Sequence, residues 1–130
     1  MKVVWTNGCF DILHRGHVEL FKFASSLGDK LIVGIDSDEK VKRDKGATRP
    51  VNKQEDRKFL LECLECINEV IIFNSSTELT SCIKEINPDI MVVGADWKEK
   101  KIVGGKYAKK LIFFDRIGKY STTRILECDK

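Results

Sequence analysis

Short apolar runs alternate with amphipathic segments along the whole chain. Between the apolar runs, hydrophobic residues recur at helical spacing, as in residues 18–27, where Gly28 is placed to end the helix. Strands buried on both faces and separated by helices indicate an α/β protein, with an open parallel five-stranded sheet and helices on both faces. The five predicted strands lie at residues 3–5, 31–35, 69–73, 89–93 and 111–114.

Two further helices are predicted from the same spacing. One begins near Lys53, with Asn52 as its N-cap, and the other spans residues 77–86 and ends at Asn87 and Pro88. We expect the first of these helices to turn four apolar side chains inward, those of Phe59, Leu60, Leu64 and Ile67.

A basic segment, residues 40–52 (KVKRDKGATRPVN), follows the second predicted strand. It lacks apolar periodicity and contains Gly46 and Pro50, so it is predicted to be a mobile loop. Surface charge is the ordinary role of such a run. Its position beside the start of the first helix favours a flexible cationic flap over a phosphate site. Its cations are Lys40, Lys42, Arg43, Lys45 and Arg49.

The most distinctive stretch is residues 6–17, TNGCFDILHRGH, which joins the first strand to the first helix. A helix N-terminus offers unpaired N–H groups and partial positive charge, both suited to phosphate. His14 and His17 stand at this entrance with Gly16 between them. Their spacing alone leaves a solvated helix start or a partial metal site open as alternatives.

Several polar segments follow strands at one edge of the predicted sheet. They are residues 6–17, Asp36, residues 94–97 and residues 116–123. Ligands of open parallel sheets bind beyond the carboxyl ends of the strands. We therefore expect these segments to converge on one site.

Composition limits the class of protein. With 130 residues the chain fits a single domain, residues 1–130, and 42% hydrophobic with 33% charged residues is typical of a globular protein. A net charge of +3 suits a small anionic substrate and is too weak for a nucleic-acid groove. Without a membrane span or signal-peptide pattern, a cytoplasmic protein is expected, with neither nucleic acid nor membrane as a partner.

The five cysteines do not suggest a disulfide framework. Cys63 and Cys66 form a C-x-x-C pair, which leaves redox or zinc chemistry open. They lie inside a helical pattern with no second pair nearby, so reduced, half-buried core thiols are the preferred interpretation. Cys9 has no evident base beside it and is not predicted to be a nucleophile.

The string GCFDILHRGH matches G-x-F-D-x-x-H-x-G-H, and the chain thereby resembles the cytidylyltransferase-like nucleotidyltransferases, which have a Rossmann-like fold. Two branches are similar. Heptose 1-phosphate adenylyltransferases, which make ADP-heptose for lipopolysaccharide, resemble residues 6–18, 42–52, 102–104 and 120–125. Glycerol-3-phosphate cytidylyltransferases, which make CDP-glycerol, resemble residues 94–97 (GADW) and Arg116. Lys119 stands where both branches have glycine, which leaves the substrate-selecting loops undecided.

The resemblance implies a reaction without a covalent intermediate. The phosphate of a sugar or polyol phosphate attacks the α-phosphorus of a nucleoside triphosphate and pyrophosphate leaves. ATP with D-glycero-D-manno-heptose 1-phosphate is the first expectation, and CTP with glycerol 3-phosphate is the alternative. The obstacle is to bring two anions together, which calls for positioning and fixed positive donors. Mg²⁺ would arrive with the triphosphate, using few protein ligands.

The resemblance also implies site residues. His14, His17 and Lys45 would stabilise the transferring phosphate, and Arg57 would contact the α-phosphate or the acceptor phosphate. Lys42 is a further expected acceptor contact. The expected nucleotide-binding residues are Gly8, Cys9, Phe10, Asp11, Gly16, Asp96, Arg116, Ser121, Thr122 and Thr123. Within this set, Asp11 is expected to orient the histidine loop.

Other classes of function stay in view. A non-catalytic nucleotide-binding module could use the same fold. The presence of both histidines, the flap lysine Lys45 and the Ser-Thr-Thr string at residues 121–123, which is predicted to open the last helix, favours an enzyme. An NAD-dependent oxidoreductase is disfavoured because no G-x-G-x-x-G follows the first strand. Members of this family are often dimers, so the resemblance leaves a homodimer open.

Overall fold

The computed structural model describes residues 1–95 and 101–115. Its elements in chain order are β1 Val3–Gly8, α1 Arg15–Ser26, β2 Lys30–Asp36, α2 Asp38–Lys45, α3 Gln54–Glu62, β3 Glu69–Phe73, α4 Ser76–Ile86, β4 Ile90–Gly94, a 3-10 helix Gly105–Tyr107 and β5 Lys110–Phe114. No helix among these described residues is long and apolar enough to cross a membrane.

The strands form one parallel sheet in the order β3-β2-β1-β4-β5, which confirms the predicted α/β fold. The chain builds outward from β1 to β3 on one side, then returns to place β4 and β5 on the other side. The strand order therefore reverses at β1. In open α/β sheets this switch point is where a ligand crevice forms, beyond the carboxyl ends of the strands.

The two neighbours of β1 pair with it to different extents. β2 stays in register with β1 from Val3 to Gly8, whereas β4 pairs with it only at Val4 and Trp5. Beyond Trp5 the buried Thr6 hydroxyl donates a hydrogen bond of 2.9 Å to the carbonyl of Val92. The sheet consequently opens between β1 and β4 at its carboxyl edge.

Each face of the sheet has its own apolar core. On one face Phe21 and Ala24 of α1 and Leu61 of α3 pack on strand residues such as Val33. On the other face α4 packs against Trp5, Met91 and neighbouring strand residues. Helices therefore cover both faces, as predicted. The two layers pack the strands from both sides and so hold β1, β2 and β4 in place next to the opening.

The prediction of a mobile loop over residues 40–52 is wrong for its first half, because α2 spans Asp38–Lys45. Ser37 caps this helix by accepting a hydrogen bond from the Lys40 amide at 3.2 Å. Acidic residues occupy its first turn and basic residues its last, which suits the helix dipole. Val41 is fully buried and anchors it. The capping residue Ser37 precedes the basic segment of residues 40–52. The segment taken by itself therefore contains no signal for the start of a helix.

The predicted inward face of α3 is wrong for Phe59 and Leu60, whereas Leu64 and Ile67 do pack on the core, beyond the end of the helix at Glu62. Phe59 is 65% exposed and Leu60 is 41% exposed, whereas Arg57 and Leu61 are buried. The helix is rotated because the Arg57 guanidinium takes an inward position, where hydrogen bonds compensate its burial. Its fourth neighbour along the helix, Leu61, then faces inward as well.

The N-cap of α3 differs from the prediction as well. The helix begins at Gln54, and Lys53 stands at the N-cap position without a side-chain cap. Asn52 instead donates its side-chain amide to the carbonyl of Asp11 at 2.7 Å. A long-range partner has therefore replaced the local capping bond.

The rotation of α3 can be tested by two truncations on the same helix. Leu61→Ala should lower the free energy of unfolding by about 2–5 kcal/mol, because it leaves a cavity in the core. Phe59→Ala should change it by only about 0.5 kcal/mol, because most of that ring is in solvent. Urea denaturation of both variants measures the difference, and a larger loss for Phe59→Ala would contradict the observed helix orientation.

Candidate active site

A cavity of about 700 Å³ opens where β1 and β4 part. Its walls come from the ends of β1, β2 and β4, the starts of α1 and α4, and the α2 segment. The lining residues are Thr6, Asn7, Gly8, Cys9, Phe10, Asp11, His14, Gly16, His17, Leu20, Asp36, Lys40, Asp44, Lys45, Arg49, Ser76, Leu79, Met91, Val92, Val93, Gly94, Ile102 and Val103. The predicted convergence of the histidine signature, Asp36 and Gly94 at one edge is confirmed.

The two histidines stand side by side at the N-terminus of α1. His14 is the extended residue just before the helix, and His17 lies in its first turn. Their rings stack with centroids 3.7 Å apart and an angle of 23° between the planes. No acidic residue occupies this first turn. Both imidazoles and the helix N–H groups are thus grouped at one wall, an arrangement suited to a phosphate group.

Phe10 packs between His17 and the apolar core. Its ring meets His17 edge-on with centroids 5.2 Å apart and also packs on Phe21 of the core. The Phe10 backbone is left-handed, with φ of 48°, which costs on the order of 1–3 kcal/mol for a bulky residue. A Cβ atom on Gly8 would lie 3.0 Å from the Phe10 ring, so glycine permits this close packing. The tight turn fixes the position of the His17 ring.

Asp11 is a buried carboxylate that ties the signature to the segment after α2. One oxygen accepts a hydrogen bond from the Val51 amide and the other from the Asn52 amide, both at 2.7 Å. The Asn52 side chain returns a hydrogen bond to the Asp11 carbonyl. This geometry agrees with an orienting role for Asp11. Arg49, two residues before Val51, is thereby held at the cavity wall.

Arg57 is 1% exposed and does not line the cavity. Its guanidinium donates to three carbonyls, those of Asn52, Cys9 and Asp36, at 2.7–3.0 Å. It also pairs with the Asp38 carboxylate at 2.9 Å. These partners occupy all three nitrogens of the guanidinium. Arg57 therefore joins chain segments around the site, and its position does not provide the expected direct contact with a phosphate.

The cations after β2 divide into two groups. Lys40, Lys45 and Arg49 line the cavity, whereas Lys42, predicted as a substrate contact, does not. Lys40 is neutralised by Asp44 at 2.7 Å and Asp36 at 3.6 Å. Within the described residues Lys45 has neither an ion pair nor a side-chain hydrogen bond, so its ammonium group is available to a ligand.

Burial and charge shift the pKa values of three groups that line the cavity, those of Asp36, Lys40 and Cys9. Burial raises the pKa of the Asp36 carboxyl, against the opposing effect of Lys40 and Lys45. Burial opposes protonation of Lys40, but its bond to Asp44 and the charge of Asp36 raise the pKa overall. Burial raises the pKa of the Cys9 thiol, which makes a thiolate nucleophile unfavourable at neutral pH.

Several predicted residues are outside the part of the chain that the structure describes. They are Asp96, Arg116, Ser121, Thr122 and Thr123. The sequence analysis places Asp36, Lys40 and Arg49 only in segments expected near the site, without roles of their own, and it misses Asp44 and Ser76; all five line the cavity. The basic segment indicated that cations lie near the site, but it did not show which ones. The α2 helix and the contacts of Asp11 determine that Lys40 and Arg49, and not Lys42, line the cavity.

Comparisons with known proteins find similar sequences over almost the whole chain. The cytidylyltransferase-like family model matches residues 5–127. Bifunctional protein HldE of a Nitratiruptor species is 49% identical over 97% of this chain, and HldE of Helicobacter pylori (strain Shi470) is 46% identical over the same share. The chain spans only 27% of the length of each of these relatives.

A solved structure is similar over nearly its whole length. The lipopolysaccharide core biosynthesis protein from Thermoplasma volcanium GSS1 superposes with a TM-score of 0.71 and 27% identity, covering 93% of this chain and 99% of that one. The family match covers the histidine signature, the α2 segment and nearly all of the sheet. The chain therefore belongs to the cytidylyltransferase-like family of nucleotidyltransferases.

Proposed function

We propose that this chain transfers a nucleotidyl group from a nucleoside triphosphate to a sugar phosphate, with release of pyrophosphate. The specific pair is ATP and D-glycero-D-manno-heptose 1-phosphate, giving ADP-heptose. The observation that carries the proposal is the stacked pair of His14 and His17 at a helix N-terminus, facing a cavity that Lys45 also lines. Identity of 43–49% to HldE proteins over 97% of the chain favours the heptose substrate.

The geometry suggests how the site lowers the barrier. His14, His17 and the first N–H groups of α1 hold the triphosphate and support charge on the transferring phosphate. Lys45 approaches from the end of α2 and neutralises charge that builds between the two anions. The attacking phosphate is already ionised at neutral pH, so no protein base is needed. Positioning and fixed positive donors supply the rate acceleration.

The cavity walls differ in chemistry, which orients the nucleotide. On the β4 side the described lining is mostly apolar, formed by residues 91–94 with Ile102 and Val103. On the β2 side it is charged, with Lys45 and Arg49. Apolar surface suits a flat base and ribose, and charged surface suits phosphate. The base therefore lies toward β4, and the phosphates extend toward α1 and α2.

Mg²⁺ fits this arrangement as a companion of the triphosphate. Among the described residues, no group of three or more His, Cys, Asp or Glu side chains could hold a metal ion. The carboxylates of Asp11, Asp36 and Asp44 line the cavity. Asp36 and Asp44 pair with Lys40, and both Asp11 oxygens accept amide hydrogen bonds. Bound with the triphosphate, Mg²⁺ would neutralise charge on the phosphates and would need few protein ligands.

An alternative substrate pair is CTP and glycerol 3-phosphate. The GADW string at residues 94–97 and Arg116 favour it, because both resemble the cytidylyltransferase branch. A non-catalytic nucleotide-binding module is the alternative from another class. Turnover distinguishes that module from either enzyme.

The deciding experiment is a pyrophosphate-release screen of ATP, CTP, GTP and UTP against heptose 1-phosphate and glycerol 3-phosphate. We expect the highest rate with ATP and heptose 1-phosphate. A preference for CTP and glycerol 3-phosphate would support the alternative enzyme. Nucleotide binding without pyrophosphate release for any pair would contradict the proposed reaction.

For the histidine pair, His17→Ala should lower kcat by about 100-fold or more, because it removes a fixed donor from the transferring phosphate. Steady-state kinetics measures the loss, and circular dichroism checks that the fold is kept. Lys22→Ala, on the exposed side of the same helix, is the control and should stay close to wild type. A His17→Ala enzyme with near-normal kcat would contradict the role proposed for His17.

For the α2 lysines, Lys45→Ala should lower kcat more than it raises the KM for nucleotide, because its charge acts mainly in the transition state. Lys42→Ala is the matched comparison on the same helix, and its loss of kcat should be much smaller, since Lys42 does not line the cavity. Separate kcat and KM values for both variants decide the point. A pure rise in nucleotide KM for Lys45→Ala would assign that lysine to ground-state binding.

A further inference from the structure

The two arginines beside the site differ in whether their hydrogen bonds are satisfied. Arg57 is fully buried, and each guanidinium nitrogen has a protein partner. Arg49 lines the cavity with a side chain that is only 16% exposed. Within residues 1–95 and 101–115 its guanidinium makes no hydrogen bond, and its Nε atom is buried. A buried N–H group without a hydrogen bond is costly, and the remaining guanidinium N–H groups have no protein partner within these residues, so the side chain is suited to bind a ligand in the cavity.

Asp11 holds Arg49 in place without satisfying it. The Arg49 Nε lies 3.5 Å from Asp11 Oδ2, close enough for an ion pair but without hydrogen-bond geometry. Both Asp11 oxygens already accept amide hydrogen bonds at 2.7 Å from residues that follow Arg49. The carboxylate therefore offsets the positive charge and leaves the planar fork of N–H groups for another acceptor.

The shape of those donors indicates what they bind. A guanidinium presents parallel N–H groups that match two oxygens of one phosphate, and such charge-assisted pairs are stronger than neutral hydrogen bonds. A nucleobase would use the apolar wall formed by residues 91–94 on the opposite side of β1. The ligand of Arg49 is therefore a phosphate group on the β2 side of the cavity.

The reaction brings two phosphate-bearing substrates to this cavity, so the source of that phosphate must be chosen. In the proposed function the triphosphate has the α1 N-terminus and both histidines, whereas Lys45 and Arg49 come from a different part of the chain, the end of α2 and the loop after it. In-line attack requires the acceptor phosphate to approach the α-phosphorus from the side away from the leaving pyrophosphate. Cations carried by a segment other than the histidine turn are suited to hold the acceptor in that position.

We propose that Arg49 binds the phosphate of the acceptor and aims it at the α-phosphorus, with Asp11 as the positioning residue. The inference rests on the proposed function, because it names the residue that takes the second substrate of that reaction. It reassigns to Arg49 the phosphate contact that the family resemblance implied for Arg57. Arg57 then serves to join the segments around the site.

The test is Arg49→Lys, which keeps the charge and removes the planar fork. The KM for the acceptor selected by the pyrophosphate-release screen should rise by about tenfold or more, while the KM for nucleotide stays within about twofold. Arg43→Lys is the matched control, since this exposed arginine on α2 does not line the cavity, and both of its KM values should stay near wild type. Thermal unfolding checks that both variants remain folded.

Two outcomes would overturn the inference: a rise in nucleotide KM with an unchanged acceptor KM, or no change in either constant. A calorimetric titration with heptose 1-phosphate and with glycerol 3-phosphate separates this result from the fate of the proposed function. If the wild type binds either phosphate ester and Arg49→Lys weakens that binding about tenfold, the assignment of Arg49 stands even without turnover. If the wild type turns over normally and Arg49→Lys binds both esters as tightly as the wild type does, the assignment of Arg49 is wrong while the proposed function stands.

Discussion

The arrangement of the site depends on a buried set of hydrogen bonds between the turn after β1 and the segment after α2. Asp11 accepts hydrogen bonds from two backbone amides of the segment after α2. Arg57 donates hydrogen bonds to the carbonyl of Cys9 in the turn after β1 and to that of Asp36 at the end of β2. Each of these charges would be costly to bury alone, and each is compensated by several hydrogen bonds. The network places α2 and the loop that carries Arg49 against the histidine turn. Without it the cationic wall would have no fixed distance from the imidazoles.

The sheet contributes a second constraint, which is the space itself. β1 follows β2 to its last residue but leaves β4 after Trp5, and the Thr6 hydroxyl bridges to Val92 where the ladder stops. The gap between β1 and β4 gives the cavity an apolar wall on the β4 side and a charged wall on the β2 side. One cavity can thus receive a base on one side and phosphates on the other. The fold therefore determines both the volume of the cavity and the different chemistry of its two walls.

Charge at the site is organised by which cations already have partners. Lys40 is held by Asp36 and Asp44, so it contributes little net attraction to a ligand. Lys45 and Arg49 keep their capacity for phosphate oxygens within the described part of the chain. In the proposed reaction two anionic substrates would repel each other strongly at short range, and Lys45 together with the unused hydrogen-bond donors of Arg49 would reduce that repulsion. The distribution of partners, more than the number of basic residues, gives the wall its function.

The sequence by itself determined the strands, the α/β class and the histidine turn. These follow from apolar runs, a helix start and a short signature, all of which act over a few residues. Tertiary structure decided which face of α3 is buried and which arginine faces the cavity. Both depend on hydrogen bonds between residues far apart in the chain, such as Arg57 to Cys9 and Asp11 to Val51. A local pattern of basic and apolar residues does not contain those partners, so only the folded chain distinguishes Arg49 from Arg57.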